Sequence, residues 1–153
     1  MIKVLVVDDH DLVRTGISRM LDEVEGLRFD GEGSSGPLAV QLAPITVPDV
    51  VLMDIKMPGI GGLEATRKLL RVDEGIRVIA VTMCEEEPFP SRLMKAGAAG
   101  YMTKGAGLEE MVRAIKVVTT GQRYISPEIA QAMALKPYVG EEATLLDMLS
   151  ERE

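Results

Sequence analysis

Polar residues that suit phosphate chemistry follow four of the apolar runs that the sequence predicts as strands. Asp8 and Asp9 follow the first run of the chain, and Asp54 follows the third. Thr82 comes directly after the fourth run, and Lys104 lies two residues after the fifth. Because the carboxyl ends of parallel strands meet at one edge of a sheet, we expect these five side chains to converge there.

Three carboxylates at one place repel one another, by on the order of 4 kcal/mol for each pair at roughly 4 Å and an effective dielectric of about 20. A bound cation would offset this repulsion, and oxygen ligands without a Cys or His cluster favour Mg²⁺. A metal ion beside a carboxylate suits phosphoryl transfer, in which Asp54 would be the nucleophile. Thr82 and Lys104 would then supply a hydroxyl and a positive charge to the phosphoryl oxygens.

Each of these residues also has a purely structural interpretation. Taken alone, Asp8 and Asp9 would form a solvated turn and helix cap, and Asp54 would open a turn before Pro58. The occurrence of the whole set at the same end of successive strands favours the functional interpretation. His10, which is the only histidine, could tune the acidic site, but we expect it to cap the first helix.

Apolar runs and helical patterns alternate along the first 121 residues. The predicted strands are 2–7, 27–30, 50–53, 76–81 and 100–102, and the predicted helices are 12–24, 37–43, 61–70, 91–96 and one from 108 to near 121. This alternation predicts an α/β fold, a doubly wound five-stranded parallel sheet in the flavodoxin-like order 2-1-3-4-5. We expect Pro44 to close the second helix, and Leu12 to lie on the apolar stripe of the first.

Composition excludes several classes of protein. The chain has 153 residues, of which 46% are hydrophobic and 27% charged, as in a globular domain. A formal net charge of −7 and only 3% aromatic residues argue against nucleic-acid binding by these residues themselves. The single cysteine, Cys84, excludes a disulfide framework, and the first apolar run reaches Asp8 too soon for a membrane span. We therefore expect a cytoplasmic protein without membrane contact.

The composition changes after Gly121. Residues 1–121 are predicted to form the α/β domain that carries the phosphate-binding residues. Residues 122–149 are predicted to form a linker with a short helix that begins after Ser126. Residues 150–153 form a capping box with no helix behind it. We expect this segment to be the start of a further domain in a longer natural chain.

Several strings in this order resemble the receiver domain of bacterial two-component response regulators: Val4–Asp9, Asp54–Gly59, Val81-Thr82 and Tyr101–Lys104. The resemblance covers residues 1 to about 120. Other strings are similar to the NarL/FixJ subfamily and, within it, to the GacA/UvrY group: Asp8-Asp9-His10, Lys104-Gly105-Ala106, Ala96–Tyr101 and Leu149–Glu153. The last of these resembles the first residues of a LuxR-type helix-turn-helix domain.

The resemblance implies a CheY-like fold and a role for each residue at the strand ends. Asp54 would accept a phosphoryl group from a histidine of a sensor kinase or its phosphotransfer domain. The ligands of Mg²⁺ would be Asp8, Asp9, Asp54 and the backbone carbonyl of Lys56. The residues that contact or respond to the phosphoryl group would be Thr82, Lys104 and Tyr101.

The same resemblance implies a signalling domain and not an enzyme with a turnover substrate, limited to self-phosphorylation and slow autodephosphorylation. Phosphorylation would favour a homodimer, and promoter DNA would be contacted only through the C-terminal domain that this chain lacks. The switch would control a transcription factor.

Two alternatives remain at this stage. Asp9-His10-Asp11 matches the Asp-x-Asp nucleophile motif of haloacid-dehalogenase-like phosphatases, in which Asp9 and Asp11 would carry the reaction. The acidic pair that such enzymes need after the lysine could come only from Glu109-Glu110, inside the last predicted helix. The second alternative is an interaction module that keeps the fold without phosphorylation.

Overall fold

The computed structural model describes residues 1–54, 61–82, 89–103, 107–127 and 129–131. Within these residues the strands are β1 (Ile2–Val7), β2 (Leu27–Gly33), β3 (Val50–Asp54), β4 (Arg77–Thr82), β5 (Gly100–Thr103) and β6 (Tyr124–Ile125). The helices are α1 (Asp11–Asp22), α2 (Gly36–Thr46), α3 (Gly61–Val72), α4 (Phe89–Lys95) and α5 (Leu108–Thr119). The alternation that the sequence predicts is confirmed.

The strands form one parallel sheet in the order β2-β1-β3-β4-β5-β6. The predicted order of the first five strands is confirmed, but the prediction of a five-stranded sheet is wrong. The N–H of Tyr124 donates to the carbonyl of Ala99 at 3.0 Å, and the N–H of Ser126 donates to that of Tyr101 at 2.9 Å. These bonds add β6 to the edge that β5 would otherwise leave open.

Both faces of the sheet are covered, because side chains alternate between them along each strand. Val50 and Leu52 of β3 pack on one side with α1 and α5, and Val51 and Met53 pack on the other with α2 and α3. All five residues of β3 are buried, and for the first four this is what their unbroken apolar sequence predicts. The central strand is therefore rigidly held, and its carboxyl end is fixed with it.

Helix α2 continues past Pro44, so the prediction that this proline closes it is wrong. The ring removes one backbone donor, but the helix continues to Thr46, and the Val47 N–H donates to the carbonyl of Ala43 at 2.8 Å. The helix ends where Val47 adopts a left-handed conformation (φ 47°), just before Pro48. The helix is therefore ended by Pro48 and the left-handed conformation of Val47, and not by Pro44.

The buried face of α1 is narrower than predicted. Ile17, Ser18 and Leu21 are buried, whereas Leu12 is 90% exposed, so its predicted place on the apolar stripe is wrong. Val13, the next residue of the same turn, packs against the core and leaves Leu12 facing solvent. None of the described helices is long and apolar enough to cross a membrane.

The chain after α5 folds back onto α4 and β5. Ile129 is fully buried in a cluster with Leu93 and Met94 of α4 and with Tyr101 of β5. One helical turn begins here, since the N–H of Ala130 donates to the carbonyl of Ser126 at 2.9 Å. Ile125 and Ile129 thus share a core with α4 and β5.

Candidate functional site

The acidic residues come together because β1 and β3 are parallel neighbours in register. Val7 is paired with Met53, so that the next residues, Asp8 and Asp54, leave the sheet side by side. Both are only 3% exposed. The convergence that the sequence predicts is confirmed for these two residues.

Asp9 and His10 complete a cluster with this pair. One ligand atom from each of Asp8, Asp9, His10 and Asp54 lies within 4.8 Å of all the others. At that separation two carboxylates repel by about 3 kcal/mol for an effective dielectric of about 20. Asp9 Oδ1 is buried and accepts no hydrogen bond from the described residues. Clustered oxygens with a vacant acceptor fit a hard divalent cation such as Mg²⁺.

Backbone contacts fix the loop that carries the acidic pair. The N–H of Asp8 donates to the carbonyl of Gly33 at 3.0 Å, which ties the end of β1 to β2. Asp8 Oδ1 accepts a hydrogen bond of 2.8 Å from the N–H of His10. The side chain of Asp8 is therefore held in one direction before any ligand binds.

Arg14 is a residue of the site that the sequence analysis did not identify. Its Nη1 donates to the carbonyl of Asp8 at 2.6 Å, and its Nη2 donates to Asp11. Its Nε lies 3.7 Å from Glu32 Oε1, and only 12% of its side chain is exposed. The guanidinium thus fastens α1 and β2 to the end of β1. Only the i, i+3 spacing from Asp11 indicated a local ion pair.

His10 occupies the N-cap position of α1, but its side chain makes no capping hydrogen bond there. The expectation that His10 caps the first helix is confirmed for its position, and its carbonyl accepts a hydrogen bond of 3.0 Å from the N–H of Arg14. Its Nδ1 lies instead 3.1 Å from Asp8 Oδ1 and 3.1 Å from Asp9 Oδ1, and 4.0 Å from Asp54 Oδ2.

The structure describes only part of the other predicted site residues. Thr82 ends β4 and is paired with Thr103, so that its backbone lies at the same edge as Asp54, whose strand neighbour is Val81. Lys56 and Lys104, like the side chain of Thr82, lie outside the described residues. Tyr101 is fully buried against α4, in the cluster that contains Ile129.

Comparison with known proteins decides the family. The sequence profile described as "Response regulator receiver domain" matches residues 4–116. The chain belongs to the response regulator receiver family. This receiver is 66% identical over 154 residues to Response regulator GacA of Pseudomonas aeruginosa, covering 100% of this chain and 72% of that protein. It is 51% identical over 154 residues to Response regulator UvrY of Escherichia coli K12, covering 100% of this chain and 71% of that one.

A solved structure agrees with this assignment. The two-component response regulator of the LuxR family from Aurantimonas sp. SI85-9A1 superposes on this receiver with a TM-score of 0.85 at 36% identity. The match covers 90% of this chain and 99% of that one. The resemblance to the NarL/FixJ subfamily and to GacA and UvrY is confirmed.

The receiver is accordingly the phosphoaccepting, signalling portion of a two-component response regulator. The phosphatase alternative receives no support from these comparisons. Asp11, which that alternative needs beside Asp9, has a side chain that is 86% exposed and pairs with Arg14. It is also absent from the cluster of ligand atoms around Asp54.

Proposed function

We propose that Asp54 is the residue that accepts the phosphoryl group. The donor is a phosphohistidine of a sensor kinase or of its phosphotransfer domain. One carboxylate oxygen of Asp54 attacks phosphorus, a P–O bond forms, and the P–N bond to the donor breaks. The electron pair of that bond returns to the imidazole nitrogen of the donor, so that an acyl phosphate and a free histidine result.

The position of Asp54 supports this role. Its carboxylate is buried at the carboxyl end of the central strand and lies within 4.8 Å of a ligand atom from Asp8 and from Asp9. A nucleophile fixed at the end of a fully buried strand loses little entropy on reaching the in-line geometry. Developing charge on the phosphoryl oxygens needs cations nearby, since positioning and charge neutralisation dominate this reaction.

The residues around Asp54 divide into metal ligands and phosphoryl contacts. Mg²⁺ would be held by Asp8, Asp9, Asp54 and the backbone carbonyl of Lys56. When bound, it neutralises the charge of the carboxylates and of the incoming phosphoryl group. Thr82 and Lys104 would contact the phosphoryl oxygens from the neighbouring strands, and Tyr101 would respond to the movement of Thr82.

The output is a change in a transcription factor. Tyr101 packs against Leu93, Met94 and Ile129, so a rotation of its ring would disturb α4 and the segment after α5 together. We propose that residues 1–121 are the receiver, 122–149 the linker, and 150–153 the start of a LuxR-type helix-turn-helix domain. That further domain would contact promoter DNA, phosphorylation would favour a homodimer, and the protein would act in the cytoplasm.

The proposed chemistry is limited to one phosphoryl group per chain. Self-phosphorylation from a small acyl phosphate and slow autodephosphorylation would be its only reactions. A phosphatase with a turnover substrate would hydrolyse generic phosphate esters steadily, and that turnover would be insensitive to changes at Asp54.

Phosphoryl transfer from labelled acetyl phosphate tests the proposal. With Mg²⁺ the wild-type chain retains the label, and Asp54→Asn does not, because an amide cannot form the acyl phosphate. Asp11→Asn is the matched control, since Asp11 is an exposed acid at the start of α1 that lies outside the cluster, and it should retain the label. Labelling of Asp54→Asn at the wild-type level would refute the role of Asp54.

A further inference from the structure

An imidazole lies inside the acidic pocket, where the proposed Mg²⁺ site needs none. His10 Nδ1 is 3.1 Å from Asp8 Oδ1, 3.1 Å from Asp9 Oδ1 and 4.0 Å from Asp54 Oδ2. The ring is 63% exposed, so its other face remains in contact with solvent. In the described structure Nδ1 shares a hydrogen bond with Asp8 Oδ1, but carboxylate and carbonyl oxygens alone would satisfy Mg²⁺, so the metal site itself does not require this nitrogen.

These three distances are similar to those between the ligand atoms of an octahedrally coordinated metal ion. Metal–ligand bonds of about 2.1 Å place adjacent ligand atoms about 3 Å apart and opposite ones about 4.2 Å apart. Nδ1 is at the adjacent distance from two carboxylate oxygens and close to the opposite distance from the third. One ion could therefore reach all four atoms with small side-chain movements.

Asp9 gives an independent indication. Its Oδ1 lies 3.1 Å from His10 Nδ1 and is buried, yet the two atoms form no hydrogen bond in the described structure. A buried carboxylate oxygen without a donor is costly, by about 1–3 kcal/mol or more for a charged group. A metal ion bound to both atoms would accept one lone pair from Asp9 Oδ1 and one from His10 Nδ1, and would remove this cost.

We propose that His10 Nδ1 is a fourth protein ligand of the divalent cation, and that it shifts the selectivity of the pocket toward first-row transition metals such as Mn²⁺. Imidazole nitrogen binds first-row transition-metal ions, Mn²⁺ least tightly of the series, whereas Mg²⁺ takes oxygen ligands. Removing the imidazole lowers the affinity for Mn²⁺ and leaves the affinity for Mg²⁺ nearly unchanged. This inference uses the pocket of the proposed function, but it does not depend on which carboxylate is phosphorylated.

The sequence makes the test unambiguous, because His10 is the only histidine. Pulsed EPR of Mn²⁺ bound to the untagged 153-residue chain should show imidazole ¹⁴N coupling, which must then come from His10. The coupling should vanish in His10→Ala, and the ratio of Mn²⁺ to Mg²⁺ affinity should fall at least about tenfold, no less than for loss of an outer-shell partner. His10→Asn, which offers an oxygen of similar reach, should keep binding but lose the coupling.

The outcomes separate this inference from the proposed function. Mn²⁺ that binds without ¹⁴N coupling, or with an unchanged affinity ratio in His10→Ala, overturns the role of His10. If Asp9→Asn still abolishes that binding, the acidic pocket and the proposed function stand. Binding that is insensitive to both His10→Ala and Asp9→Asn, or no binding at all, contradicts both. The wild-type spectrum alone decides the question should a variant fail to fold.

Discussion

The backbone N–H of Ser126 donates a hydrogen bond of 2.9 Å to the carbonyl oxygen of Tyr101. Three residues further on, the Ile129 side chain is buried in the same cluster as the Tyr101 ring. The family profile ends at residue 116, so this contact joins the profile-matched part of the chain to the segment that follows it. A change at Tyr101 therefore has a direct physical route into residues 124–131.

Ile129→Ala should destabilise the domain as a core substitution does. The side chain is fully buried between α4 and β5, and removing it should cost about 2–5 kcal/mol of unfolding free energy. Urea denaturation monitored by circular dichroism measures the change. Leu12→Ala is the control, because Leu12 is 90% exposed and should change stability by less than about 0.5 kcal/mol. Equal stability of the two variants would show that Ile129 does not pack on the domain.

Two glycines with positive φ give a matched pair. Gly97 follows α4 at φ +106°, and Gly121 follows α5 at φ +91°. Alanine at either position should cost about 1–2 kcal/mol through backbone strain. At Gly97 the new Cβ would also lie 2.7 Å from Leu70 Cδ1, and moving Leu70 off its rotamer should add about 0.5–1.5 kcal/mol. Thermal denaturation would contradict this if Gly121→Ala proved the less stable variant.

Divalent cations should stabilise the folded chain. The Asp8, Asp9 and Asp54 carboxylates repel one another, and an ion that binds only the folded state adds about 2.7 kcal/mol at a hundred times its Kd. For a domain of this size, each kcal/mol raises Tm by roughly 2–4 °C. Differential scanning calorimetry with and without Mg²⁺ measures the shift.

The matching variant for that experiment is Asp9→Asn. Without Mg²⁺ it should melt at a higher temperature than the wild type, because one repelling charge is gone. With Mg²⁺ it should gain less, because one ligand is weakened. A Mg²⁺-dependent rise in Tm as large as that of the wild type would exclude Asp9 from the site.

The sequence predicts the strands and helices well where each has a hydrophobic pattern of its own. The buried run 50–53 predicts a central strand, and the acids after two parallel strands predict that Asp8 and Asp54 lie close together. Parallel register alone then brings these two side chains together. The strand order and the acidic pocket could therefore both be predicted from the hydrophobic pattern of the individual strands.

Features that depend on contacts distant in sequence were missed. Strand β6 has only two residues, Tyr124 and Ile125, too few to show alternation, and it exists because β5 leaves an open edge. The Arg14 contact with the Asp8 carbonyl depends on how α1 packs. In contrast, the contact of the His10 ring with Asp8 and Asp9 is local in sequence, and it arises because the ring turns toward these carboxylates while the residue holds the N-cap position. Local propensity does not include such charges.

The proposal that Asp54 accepts the phosphoryl group is tested most directly by locating that group on the chain. The chain is treated with acetyl phosphate and Mg²⁺, and its intact mass is measured. The adduct is then converted with hydroxylamine and mapped by peptide mass spectrometry. We expect one phosphoryl group per chain, labile to hydroxylamine and located on Asp54. A stable adduct on a hydroxyl group, or modification of Asp8 or Asp9 in place of Asp54, would contradict it.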